Sequence, residues 1–335
     1  MRTCRIKIAP HLGAAIYHCM SRTVNGERCF DDAAKEVLRK QMWQIAEFCG
    51  VQILTYAIME NHFHVLVRVP QKTVPDDREL LRRFYVLYPK PNAYQTFRIE
   101  TVAEQLKNGD PAADGWRKQQ LALMGDVSQF MKLLKQRFAI WFNRNHNRFG
   151  PVWCERFKSV LVEGRGNVTL TMSAYIDLNP VRAGLVDDPK DYRFCGYAEA
   201  VAGRKGAQGG IAAVVATASG NDGTTWRDAR EGYRMMLFGA GAVARANKAA
   251  ITPEALEKVI AENGTLPLPD VLRCQIRHFT DGAVLGSKAF VAAQLAAYRR
   301  RVGRRARTHP RPLPNVTKWG DMTTLRGLRK RRTGE

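Results

Sequence analysis

The stretch Tyr56 to Pro70, YAIMENHFHVLVRVP, leaves the chain little choice of local structure. Side chains alternate across an extended strand, so His62, His64, Leu66 and Arg68 share one face while Phe63, Val65, Val67 and Val69 share the other. One face is an apolar stripe that must be covered. The other sets two imidazoles side by side, a ready pair of ligands for a divalent ion that cannot complete a site alone. The same pair also reads as two hydrogen-bonded structural histidines.

The flanking sequence predicts the order strand, helix, strand, strand. Ala14 to Arg22 mixes apolar and β-prone residues and runs into the turn-like TVNGE, which predicts a first strand. Asp31 and Asp32 open a helix over Ala33 to Cys49, an acidic start that suits a helix N-terminus. Val51 to Met59 predicts a second strand, joined through Glu60 and Asn61 to the histidine strand as a hairpin. From Gln71 to about Gly125 the pattern is less regular. Tyr85, Tyr88, Tyr94 and Phe97, among Arg82, Arg83, Lys90 and Arg98, read either as a base-stacking, phosphate-holding surface or as a small helical insertion packing its own aromatics. A short helix is expected over Ile99 to Leu106.

Asp126 is placed to cap a long helix running through Trp141 to Asn143. The basic loop NRNHNRFGPVWCERFKS then leads into a strand carrying Val160 and Val162, and its Arg and Asn beside aromatics suit nucleic acid or simply water. Leu170 to Val186, LTMSAYIDLNPVRAGLV, predicts a helix before Pro180. Tyr175 and Asn179 stand at i and i+4 there and face the same way. They read either as a phenol and a carboxamide presented together, or as a half-buried tyrosine and a cap for the PVRAG turn.

Beyond this, Gly203 to Gly223 is rich in Gly, Ala and Ser and reads as a linker. Thr225 to Phe238 and Thr252 to Asn263 are expected to be helical, and RCQIRHFTDGAVLGSKAFVAAQLAAYRRR suggests helix, turn, helix. Domain bounds follow: 1–202 with an insertion at about 71–125, a linker at 203–224, a helical region at 225–298 that reads either as DNA-binding or as ordinary helical packing, and a basic tail at 299–335 that reads as a DNA-backbone arm.

Composition narrows the partner. With 53 Lys and Arg against 31 Asp and Glu, the formal charge of +22 over 335 residues points to a polyanion, and nucleic acid leads. A membrane is disfavoured, because no stretch approaches the ~20 uninterrupted apolar residues a spanning helix needs. The first residues are too interrupted by polar groups for a signal peptide, so a cytoplasmic location is expected. The 7 cysteines are odd in number and form no CxxC pair, which suggests neither a zinc cluster nor a disulfide framework.

Four strings in one order, YHCMSR, ENHFHVLV, FMKLLKQRFAIWFNRNHNRFGPVWCERFKS and YIDLNPVRAGLV, together resemble the HUH superfamily of single-tyrosine transposases, and most closely the REP-associated tyrosine transposases. The resemblance spans about Ala14 to Ala200. It implies a ferredoxin-like α+β sandwich with an antiparallel sheet, to which the helical readings beyond residue 224 add a mainly helical C-terminal region. It further implies His62 and His64 as paired metal ligands, Asn179 as a third, Tyr175 as the nucleophile, and Mg2+ or Mn2+ as cofactor. The implied activity is cleavage and strand transfer on hairpin-bearing single-stranded DNA through a 5'-phosphotyrosine, by a monomer or homodimer. Arg22, Arg144, Asn147, Arg148, Arg156, Lys158 and Arg182 are the expected DNA contacts. The rival expectations are a replication or mobilisation nicking enzyme with the same chemistry, and a domesticated DNA-binding regulator without turnover.

Overall fold

The computed structural model describes residues 5–8, 13–71, 73–90, 98–238, 268–272, 276–302, 308–313 and 320–326. Its first half follows the predicted order: strand β1 (Ala15–Arg22), helix α1 (Asp32–Cys49), β2 (Gln52–Ile58) and β3 (His62–Val69). Asp31 caps α1 by accepting the Ala34 amide, and Gly50 closes it in the left-handed region at φ 64°, where only glycine is unstrained. Short helices α2 (Asp77–Leu87), α3 (Ile99–Lys107) and α4 (Asp114–Leu121) form the insertion. Within it Phe84 stacks on Tyr88 and meets Trp116 edge-on, so these aromatics pack on one another as the structural alternative expected. Tyr94 and Phe97 lie outside the described residues.

Helix α5 (Val127–Asn145) starts at Asp126, whose carboxylate accepts the Ser128 and Gln129 amides. It is followed by β4 (Lys158–Val162), α6 (Asn167–Asp177) and the single turn α7 (Asn179–Arg182). Helices α8 (Gly196–Val201), α9 (Lys205–Ser219), α10 (Trp226–Phe238), α11 (Leu268–Leu272) and α12 (Arg277–Asp281) come next. The described chain ends with β5 (Val284–Ser287), α13 (Lys288–Val302), β6 (Arg311–Pro312) and β7 (Met322–Leu325).

All seven strands form one sheet in the order β2-β3-β1-β4-β5-β7-β6. The first four, with α1 and α5, are the antiparallel ferredoxin-like arrangement expected. β4 and β5 pair in parallel, Leu161 opposite Val284, and every other pairing is antiparallel. The β1–β3 register sets Arg22 opposite His62 and Met20 opposite His64. The two faces separate as strand alternation requires. Phe63 meets Trp153 at 5.6 Å, and Trp153 in turn meets Phe138 of α5. On the opposite face His64 meets Tyr175 of α6.

The second half departs from expectation. The Gly/Ala-rich segment read as a linker is helix α9, which lies on β2. Its small residues permit close approach: a Cβ on Gly210 would come within 2.5 Å of the Leu54 carbonyl and 2.6 Å of that of Ile53. Leu54 sits where the β2–β3 register slips, between Ile53 and Thr55. Low side-chain volume here is packing, not looseness. Gly210→Ala is therefore expected to lower the unfolding free energy by about 1–3 kcal/mol. Gly209→Ala, with nothing within 4 Å of its Cβ, should raise it by up to ~1 kcal/mol. Denaturant titration of the two variants checks this, and equal losses would contradict the packing account.

Likewise, the expected helix, turn, helix over 273–301 is helix α12, strand β5 and helix α13. Through β5 and β7 the C-terminal segment extends the same sheet instead of standing apart. The helix expected over 252–263 lies outside the described residues, as does most of the basic tail.

Candidate metal and tyrosine site

Three imidazoles gather on the face of β1 and β3 that α6 covers. His18 of β1 and His64 of β3 are diagonal neighbours across the strand pair, with rings stacked at 5.0 Å and 18°. His18 Nε2 lies 2.8 Å from His64 Nδ1, and His18 Nδ1 lies 2.7 Å from the carbonyl oxygen of Phe279 in α12. His62 stands edge-on to His64 at 5.2 Å. Its Nδ1 is 2.7 Å from Asn61 Oδ1, while Asn61 Nδ2 donates to the Gly26 carbonyl at 3.0 Å.

Burial keeps these rings neutral. It pushes His18 and His62 down to about 4 and His64 well below its ordinary value, and the positive charge of Arg182 works in the same direction on all three. A neutral imidazole is the form that binds a metal.

Tyr175 reaches this cluster because α6 is buried along almost its whole length, with the sheet beneath it and α9 and α10 against it. Its ring stands perpendicular to that of His64, with centroids 6.5 Å apart. It is 2% exposed. Phe279 covers it edge-on at 4.9 Å, and Arg182 lies over its face with Cζ 4.0 Å from the ring centroid. The guanidinium also donates to the Tyr175 carbonyl at 2.8 Å and the Leu272 carbonyl at 2.7 Å. Burial raises the Tyr175 phenol, against the opposing pull of Arg182 and a hydrogen bond with the Ile276 backbone.

The remaining sequence-derived residues divide. Asn179 donates its amide nitrogen to the Ile176 carbonyl at 2.9 Å and to that of Tyr175 at 3.5 Å. This turns its nitrogen toward α6 and its oxygen away. Among the described residues no group of three or more His, Cys, Asp or Glu side chains forms a metal cage. Arg22, Arg144, Asn147 and Arg156 are exposed. Arg148 is ion-paired with Glu27 at 2.6 Å and Lys158 with Asp281 of α12 at 3.0 Å. Arg182 is the furthest from expectation, since its guanidinium holds Tyr175 and α11.

Neither His18 nor Asn61 nor Phe279 stands out in the sequence as a site residue. For His18 a signal exists, since alternation along β1 puts it on one face with Met20 and Arg22, but using it requires the β1–β3 register.

Three imidazoles, a phenol and an arginine converge beneath a protein cover, and the residues supplying the imidazoles lie in a single segment. Residues 12–77 match the family model of IS200-like transposases. This transposase-like segment runs from just before β1 to the first residue of α2, and so contains His18, Asn61, His62 and His64. Tyr175 lies beyond it. No curated protein and no solved structure matches the chain. Among the described residues no helix is long and apolar enough to cross a membrane.

Proposed function

We propose that the protein is a metal-dependent, single-tyrosine DNA transposase of the REP-associated type, cleaving and rejoining hairpin-bearing single-stranded DNA. The observation that carries this reading is the meeting of His64 and Tyr175, brought from a strand and a helix far apart in sequence to a 6.5 Å ring contact. The likeness of residues 12–77 to IS200-like transposases supports it.

The donor set fits a divalent ion. His62 and His64 would hold it through neutral imidazole nitrogens, and the outward-turned Asn179 oxygen is proposed as the third donor, with the other positions left to water and phosphate. When bound there, Mg2+ or Mn2+ supplies polarisation of the scissile phosphate and stabilisation of its developing charge. Tyr175 Oη attacks phosphorus in line, forming a phosphotyrosine as the P–O3' bond breaks. The phenol proton passes to solvent and the departing 3' oxygen takes one up. Arg182, fixed over the ring, orients the phenol and favours its anion. The exposed Arg22, Arg144, Asn147 and Arg156 supply backbone contacts whose strength falls with salt. Phe149, 95% exposed on the same basic loop, offers a face for base stacking. A cytoplasmic location fits this activity.

One observation favours the non-catalytic regulator: the near-complete burial of Tyr175. A single experiment separates the two. Labelled single-stranded hairpins from the flanks of the gene are incubated with the protein and Mn2+ or Mg2+, then run on a denaturing gel. A covalent adduct is expected that disappears in Tyr175→Phe and with chelator. Salt-sensitive hairpin binding without adduct on any flanking strand would assign the regulator.

A further inference from the structure

The imidazoles are held by two chains of hydrogen bonds, each ending on a backbone carbonyl. A carbonyl has no proton to give, so each chain admits a single proton assignment when its rings are neutral. Starting from Phe279, the carbonyl accepts from His18 Nδ1 at 2.7 Å. His18 Nε2 therefore carries the lone pair, and it accepts from His64 Nδ1 at 2.8 Å. The lone pair of His64 then resides on Nε2. Starting from Gly26, the carbonyl accepts from Asn61 Nδ2, which turns Asn61 Oδ1 to accept from His62 Nδ1. The lone pair of His62 also resides on Nε2.

We propose that His18 and Asn61 are positioning residues that lock His64 and His62 in the Nδ1–H tautomer, so that both present Nε2 to a metal ion, and that the Phe279 carbonyl of the C-terminal segment anchors one of these locks. The inference deepens the metal reading of this site and rests on it for the ligand, though the tautomers themselves do not require a metal.

The geometry favours positioning over a merely structural role. His18 is 1% exposed and its two ring nitrogens are both engaged, so it stands behind His64 with no nitrogen left to coordinate anything. His18 and His64 are both buried, 1% and 3% exposed, a setting that disfavours the charged imidazole which would reverse the direction of the chain. Hydrogen bonds behind a ligating histidine typically carry 10–100-fold in metal affinity. The β1–β3 register brings His18 diagonal to His64, and α12 arrives from the far end of the chain to supply the acceptor.

The test is ring-nitrogen NMR on 15N-histidine-labelled full-length protein, metal-free, combined with Mn2+ titration followed by electron paramagnetic resonance. In the unaltered protein, His62 and His64 are expected to show protonated Nδ1 and unprotonated Nε2. His18→Leu removes the acceptor and should shift His64 toward the Nε2–H form, weakening Mn2+ binding by about 10–100-fold. His18→Gln, whose side-chain oxygen reaches the place of Nε2, should restore the tautomer and most of the affinity. Asn61→Leu should act in the same way on His62. A proton on His64 Nε2 in the unaltered protein overturns the proposal whatever the variants do, so it stays falsifiable if His18→Leu fails to fold. An unchanged His64 tautomer and unchanged affinity in His18→Leu overturns it while leaving the metal reading standing. Expected tautomers without any Mn2+ binding would instead remove the metal reading and support the locks as assigned.

Discussion

If the proposed transposase chemistry holds, replacing Phe279 by Ala is expected to raise the yield of a Tyr175–DNA adduct by about 100-fold. Phe279 is fully buried and packs edge-on against Tyr175 at 4.9 Å, so no phosphate reaches the phenol until α12 has moved. The affinity and rate of a site scale with the fraction of molecules in the open state. Truncating a buried Phe to Ala costs about 3–5 kcal/mol. If about 3 kcal/mol of that falls on the closed state alone, the open fraction rises about 100-fold. The substitution keeps the Phe279 carbonyl, and with it the acceptor for His18, so cover and lock are tested apart. Adduct formation at several times is compared with the unaltered protein, with circular dichroism to verify the fold. A yield equal to or below that of the unaltered protein, in a variant that still folds, would show that the Phe279 ring does not limit access.

The second large effect concerns Asp177, two residues along α6 from the tyrosine. Its carboxyl accepts from Thr55 Oγ1 at 2.7 Å and from the Tyr197 amide at 3.2 Å, and shares a 2.5 Å hydrogen bond with the Tyr233 hydroxyl, which in turn meets Ser173 Oγ at 2.7 Å. Burial raises it from 3.8 to about 7, with those hydrogen bonds opposing. The folded state therefore keeps a proton that the unfolded chain releases, and stability falls as pH rises from about 4 to about 7. A rise of that size corresponds to at most ~4 kcal/mol. Asp177→Asn offers the same acceptor to Thr55 and Tyr197 and an N–H toward Tyr233, matching the protonated carboxyl. Urea denaturation in chelator is expected to find the variant more stable than the unaltered protein by about 2–4 kcal/mol at pH 8 and nearly equal at pH 4. A difference independent of pH would show that Asp177 does not titrate across this window.

The parts of the fold legible in the sequence are those written in local periodicity. His62 to Val69 alternates cleanly, and both faces of that strand stand where alternation puts them. Asp31 and Asp126 cap the helices they precede, because capping needs only the next three residues. What the sequence hid depends on partners distant along the chain. β5 and β7 are four residues each, too short for a period, and their strand character comes from pairing, β5 with β4 and β7 with β5. The glycines of α9 look like a linker until the bulge at Leu54 is seen pressed against Gly210. At the site, Tyr175 and the His62–His64 pair carry recognisable motifs. The role of His18 depends on a carbonyl 261 residues away, which no local pattern encodes, and Arg182 is drawn inward by the aromatic ring beside it.

The parallel pairing of β4 with β5 also bears on how the protein is made. Synthesis proceeds from the N-terminus, and β4 leaves the ribosome well before Val284 to Ser287 exist to pair with it. At ~5–20 residues per second that interval is on the order of ten seconds. During it β4 is an open sheet edge able to recruit a strand from another nascent chain. Over the same interval Tyr175 has no Phe279 above it and His18 has no carbonyl to hold it. The site is thus uncovered and unaligned until the last part of the chain docks. A fragment ending near residue 202 would keep the motifs and remain permanently in that unfinished state.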